Sequence, residues 1–171
     1  MPRFYFRFLA LLVVLPFFSG CSNYQLGTAS KLTFSTLHVA PVTMVALVPQ
    51  AEPIISTQLR TAFLHDGRLA LENSSMAADA TLSVVIRDYY REVGTVRPGD
   101  TGLARKFIIT MTAEATLTDN RNGKDLFTAR KLTVKRDAYT DSGQQQAEYQ
   151  ILPLLAEDLA AKVSHAVLDT W

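Results

Sequence analysis

Lys106-Phe107-Ile108-Ile109-Thr110-Met111-Thr112-Ala113-Glu114-Ala115-Thr116-Leu117 decides the fold. Phe107, Ile109, Met111, Ala113, Ala115 and Leu117 alternate with Lys106, Thr110, Thr112, Glu114 and Thr116. Side chains of a strand point to opposite faces in turn, so this period of two predicts a long strand with one buried face. Downstream, Asp119-Asn120-Arg121-Asn122-Gly123-Lys124 reads as a turn, since Asn-Gly favours the positive φ that tight hairpins need. Leu126, Thr128, Arg130, Leu132 and Val134 then return as another long strand. Upstream, Ala80, Leu82, Val84 and Ile86 alternate with Thr81, Ser83, Val85 and Arg87 in the same way.

Helical patterns lie on both sides of this β-rich middle. Glu52-Pro53-Ile54 opens the first, with proline in the turn where a missing N–H is harmless. Ile55, Leu59, Ala62 and Phe63 form one apolar stripe, and Asp66-Gly67 ends it. Arg68 to Glu72 predicts a short strand, with Leu69 and Leu71 in alternation. Leu37-His38-Val39-Ala40-Pro41-Val42 fits a buried first strand. The last helix is expected from Gln144 to Asp169, with Leu152, Leu155, Leu159, Val163 and Val167 on its stripe and Glu157, Asp158 and Lys162 off it. The expected fold is an α+β two-layer sandwich, two amphipathic helices packed on a mainly antiparallel sheet of about four strands.

The amino-terminal segment has a different grammar. Arg3 and Arg7 precede the apolar run Phe8 to Phe18, which is too short to span a bilayer comfortably, and Ser19-Gly20-Cys21 follows. This is the pattern of an export signal with small residues at the cut site. Cys21 is the only cysteine of the chain, and its position after Ser-Gly resembles the lipobox of bacterial lipoproteins. That resemblance implies cleavage before Cys21, acylation of its thiol and acylation of the new amino terminus. Two or more acyl chains anchor stably where one holds only marginally. Ser22 comes next; Asp there marks inner-membrane retention in well-studied Gram-negative lipoproteins, so Ser implies the outer membrane. The expected organisation is a signal peptide at 1–20, lipidated Cys21 and a tether at 21–35, and a single α+β domain at 36–171.

Charge and motif content exclude several function classes. The 17 Lys and Arg include Arg3 and Arg7, so 15 remain after the signal against 16 Asp and Glu, a formal charge of −1. That balance argues against nucleic acid as a partner. Asp100-Thr101-Gly102 spells the aspartic-protease triplet, but Arg97-Pro98-Gly99 precedes it where that chemistry needs a buried apolar strand. His38, His65 and His165 are scattered without ligand spacing, and no nucleophile elbow or phosphate-binding glycine loop occurs. No catalytic residue, metal or cofactor is expected.

Cys21-Ser22-Asn23-Tyr24-Gln25-Leu26-Gly27 resembles the Tyr-x-Leu-Gly opening of the lipopolysaccharide-assembly lipoproteins, the LptE family. The order continues with Val39-Ala40-Pro41, the helix ending in Asp66-Gly67, and Ala78-Asp79-Ala80-Thr81-Leu82. Val42-Thr43-Met44-Val45-Ala46 stands where the family often carries Asn-Lys/Arg-Thr, the mark of a divergent member. The resemblance implies an outer-membrane lipoprotein on the periplasmic face, with no enzymatic activity. It would plug and help assemble the lipopolysaccharide-export β-barrel, an LptD-like partner, and aid lipopolysaccharide delivery to the outer leaflet. Phosphate contact calls for cations, and the hairpin loop supplies Arg91, Arg97, Arg105 and Lys106 as candidate lipopolysaccharide or barrel contacts. The alternative is an auxiliary lipoprotein of an ABC-type or MCE-type lipid transport system, with the same anchor.

Overall fold

The computed structural model describes residues 32–96, 104–139 and 144–169. Cys21, Arg97, Asp100-Thr101-Gly102 and Trp171 lie outside them, as does the Arg105 side chain. The elements in chain order are β1 (Thr36–Val39), β2 (Thr43–Met44), α1 (Ala51–Asp66), β3 (Ala70–Glu72), β4 (Ala80–Val96), β5 (Ala104–Asp119), β6 (Lys124–Tyr139) and α2 (Gln144–Leu168).

Among the described residues the sheet has six strands rather than about four, and it is mixed: the long strands pair antiparallel, as expected, and the short ones add parallel pairings. Its order is β3-β1-β4-β5-β6, with β2 pairing β4 off that path. β1 runs parallel to both β3 and β4, and β2 is parallel to β4; only β4–β5 and β5–β6 are antiparallel. The cause lies in the connections. A 16-residue helix spans about 24 Å, so α1 carries the chain back to the end where β1 began, and β3 must then run the same way as β1. The expected first strand at residues 37–42 stops at Val39, because Pro41 has no N–H to give the ladder, and a separate β2 begins after it at Thr43. Ala40 still donates to the Leu82 carbonyl at 2.9 Å, Val42 is buried, and Thr43 resumes opposite Val85.

The long strands follow the predicted alternation where they are regular and depart from it at bulges. Ile109, Met111, Ala113, Ala115 and Leu117 are fully buried, as are Ala80, Leu82 and Ile86. On β4 the register shifts between Ile86 and Asp88, so Arg87 is an extra residue and Tyr89 takes the core side beyond it. On β6 the shifts fall opposite Leu117. Ala129 sits at φ 46, and its N–H donates to the Thr116 hydroxyl at 3.0 Å instead of to the ladder. The result reverses the side-chain parity: Phe127 is buried and Leu126 is 41% exposed.

Both helices cover one face of the sheet, the face carrying those apolar side chains. Ile55, Leu59 and Phe63 of α1 and Leu152, Leu155, Leu159, Val163 and Val167 of α2 are buried in the common core. Gly67 ends α1 at φ 72, a left-handed conformation that glycine adopts without a Cβ penalty, and its N–H caps the Phe63 carbonyl at 3.2 Å. At the β5–β6 turn, Gly123 is also left-handed, and its N–H reaches the Asp119 carbonyl at 2.8 Å. Among the described residues no helix covers the opposite face of the sheet. That face carries threonines and ion pairs among its side chains: Thr112 meets Thr133 at 3.2 Å, and Arg87 meets Glu114 at 2.7 Å.

Candidate functional site

The two ends of the sandwich carry different chemistry. At one end the chain leading from residue 32 joins the core: Phe34 is buried, and Ser35 and Thr36 are fastened to Asp79 at the start of β4. One Asp79 oxygen accepts from the Ser35 amide at 2.8 Å, the Ser35 hydroxyl at 3.0 Å and the Thr36 amide at 3.1 Å. The Asp79 amide donates back to the Thr36 hydroxyl at 2.8 Å. Donors from the Ser35 backbone and hydroxyl, then from Thr36, stabilise the carboxylate and lower its pKa to about 2. Beside it, Asn120 donates to the Ser75 and Ala78 carbonyls at 2.9 and 2.8 Å, tying the β5–β6 turn to the loop before β4. Asp119, almost fully buried, takes the Arg121 guanidinium at 2.8 Å.

At the other end, where β4 ends and β5 begins, lie the described candidate cations Arg91 and Lys106. Arg91 pairs with Glu148 at the start of α2, and its guanidinium stands 5.4 Å from the centroid of the Phe107 ring. Lys106 reaches Asp137 of β6 at 3.1 Å. The structure thus brings Arg91 and Lys106 to the same end of the sheet, on opposite faces, and each has a carboxylate partner. The sequence did not signal those partners, because each pair joins two elements whose register only the fold sets.

Next to Arg91 a cleft of about 500 Å³ opens between the β2–α1 loop and α2, lined by Leu47, Val48, Pro49, Tyr89, Glu148, Tyr149 and Leu152 among others. Leu47 is fully exposed and Tyr149 is 60% exposed, so this end presents apolar surface beside an ion pair. Burial pushes the Tyr89 hydroxyl above its ordinary pKa; Glu148 adds to that and Arg91 opposes it. Pro153 lies inside α2 and has no N–H for the Tyr149 carbonyl, which is left without its usual helical donor at the cleft. The arrangement offers binding surface, apolar with charge at its rim. Among the described residues no three His, Cys, Asp or Glu side chains gather as a metal site.

Solved structures share this architecture. A minor lipoprotein from Acinetobacter baumannii superposes with a TM-score of 0.54 at 17% identity, over 81% of this chain and 95% of that one. A protein from Xanthomonas campestris gives 0.60 at 15% identity, over 80% of this chain and 85% of its own. One from Chlamydia trachomatis gives 0.54 at 10% identity, over 80% and 97%. At such identities the likeness is one of fold. No curated protein matches the sequence. The lipopolysaccharide-assembly profile, LptE, matches residues 34–164, from the buried Phe34 to the last turns of α2. The chain therefore belongs to the LptE lipopolysaccharide-assembly family.

Proposed function

We propose that this protein is a non-catalytic outer-membrane lipoprotein that occupies the lumen of a large LptD-like β-barrel. There it plugs the barrel, helps it assemble, and aids delivery of lipopolysaccharide to the outer leaflet. The observation that carries the reading is the family match, which spans nearly the whole described domain. Cys21, acylated and freed of residues 1–20, supplies the membrane anchor, and Ser22 the outer-membrane address.

The surface is consistent with this. A barrel interior is polar and hydrated, so its occupant needs a closed core and an outer surface of mixed polarity. The open sheet face has that character, with Arg87 against Glu114, Lys106 against Asp137, and a threonine ladder between them. Arg91, Arg97, Arg105 and Lys106 are the residues for contact with lipopolysaccharide phosphates or with the barrel wall. For Arg91 and Lys106 a phosphate would compete with Glu148 and Asp137, replacing one charge-assisted hydrogen bond by another.

Photocrosslinking tests the reading. A photoreactive residue replacing Lys131 on the open sheet face should capture a single large, heat-modifiable barrel in outer membranes. Capture of an inner-membrane permease or of a lipid-transport subunit in its place would overturn it.

A further inference from the structure

The sheet ends at β6, and the outer edge of that strand is closed along only part of its length. Lys162 of α2 donates to the Thr133 carbonyl at 2.6 Å, so that carbonyl points away from β5. Backbone groups alternate in direction along an antiparallel strand, so the N–H and C=O of Lys135 and Asp137 point outward as well. Towards the turn, Arg130 donates to the Ala166 carbonyl at 3.0 Å, and with Lys162 it fastens α2 over the edge. Towards the other end, past the Arg136–Asp158 pair, α2 and β6 separate. A groove of about 530 Å³ opens between them, lined by Lys135, Arg136, Asp137, Ile151 and Leu154. Among the described residues no strand pairs with this stretch.

The chemistry of the groove selects its occupant. Outward N–H and C=O groups in alternation are satisfied by another polypeptide backbone, whereas an acyl chain would cover them unpaired. An added strand sets one side chain against Ile151 and Leu154 and the next beside Lys135, on the open face. Leu154 is 41% exposed, an apolar contact waiting on one side. Arg136, which faces α2, is answered by Asp158 and Glu157, and Asp137, on the open face, by Lys106. Lys135 has no anionic partner among the described residues, so it offers an unanswered positive charge at the open-face rim of the groove.

We infer that this groove takes an extended segment of a partner protein, added as a further strand to β6, apolar towards α2 and acidic beside Lys135. The sheet already holds strands of two and three residues in β2 and β3, so a pairing this short has precedent in the same fold. The partner is the barrel of the proposed function, and the inference rests on that reading for its identity alone.

Hydrogen–deuterium exchange on the full lipidated chain tests it, comparing the detergent-solubilised outer-membrane complex with the same chain dissociated from it. Fragments covering residues 132–139 should exchange at least about tenfold more slowly in the complex. Lys135→Pro, which removes one outward N–H and leaves the β5-facing bonds intact, should lower recovery of the barrel several-fold. Leu154→Glu, at an exposed helix position, should do the same if the proline variant fails to fold. A barrel recovered in full with the edge amides exchanging as in the free chain would overturn this inference and leave the barrel reading standing. Edge protection by a protein other than a barrel would support strand docking and overturn the barrel reading. No barrel and no protection would overturn both.

Discussion

Asp79 and Ser35, 44 residues apart, are joined twice: one Asp79 oxygen accepts both the amide and the hydroxyl hydrogen of Ser35. Ser35 is where the amino-terminal segment meets the sheet, and Asp79 opens β4, the strand on which β1, β2 and β5 all register. Together with the buried Phe34 just before it, this carboxylate fastens the amino-terminal segment to the core. Its hydrogen bonds satisfy the first amides of β1 and set that strand's register against Ala80.

The Asp79 clamp should be acid-sensitive. Its carboxyl is depressed from 3.8 to about 2 in the folded chain. A depressed carboxyl contributes stability above the unfolded value, and the contribution fades as pH falls through the folded one. Asp79→Ala should thus lower the melting temperature at neutral pH, and the gap from the parent should close as pH approaches 2. A gap that stays constant with pH, by scanning calorimetry, would count against the clamp.

The parity reversal on β6 gives a sharp contrast between neighbours. Phe127→Ala should cost about 3 kcal/mol, in the range for a buried aromatic. Leu126→Ala should cost under about 1 kcal/mol, since the side chain is 41% exposed. Urea unfolding of the two variants decides; equal losses would place both residues in the core and remove the bulge.

Arg136 and Asp158 form two parallel bonds, at 2.5 and 2.6 Å, across α2 and β6. The pair is about a third exposed, so a double-mutant cycle should give a coupling of about 1 kcal/mol. That coupling should fall as salt rises to about 1 M, where screening acts within about 3 Å. A coupling indifferent to salt would contradict a solvent-exposed pair.

Arg91 offers a cation for a phosphate, with the Phe107 ring 5.4 Å from its guanidinium and the Glu148 carboxylate beside it. Arg91→Ala should weaken binding of lipopolysaccharide to the purified protein about tenfold, the loss of one charge-assisted bond. Glu148→Gln should strengthen it by removing the carboxylate that competes with the phosphate. Equal binding by both variants, measured by fluorescence competition, would remove Arg91 from the contact.

Much of this architecture was legible in the sequence because local periodicity and packing agree. The stripe through Leu152, Leu155, Leu159, Val163 and Val167 and the alternation through Ile109 to Leu117 each lie fully on the core side. The parallel pairings of β1, β2 and β3 were not legible, since strand direction follows from connection length and not from side-chain pattern. The reversal at Leu126 and Phe127 was hidden for a related reason: an alanine at φ 46 carries no turn signature, and the extra residue shows only against the partner strand. The candidate cations were visible as charge, but Glu148 and Asp137 could not be matched to Arg91 and Lys106 before the fold brought them together. Asp79 stands in the Ala78–Leu82 motif, but its clamp on Ser35, 44 residues away, shows only in the fold.

The most direct test of the account is native mass spectrometry of the tagged, lipidated protein, recovered from outer membranes in gentle detergent. A complex of one copy of this chain with one large, heat-modifiable β-barrel is the predicted mass. A ring or other assembly of this chain alone, or a complex with an inner-membrane permease, would contradict it.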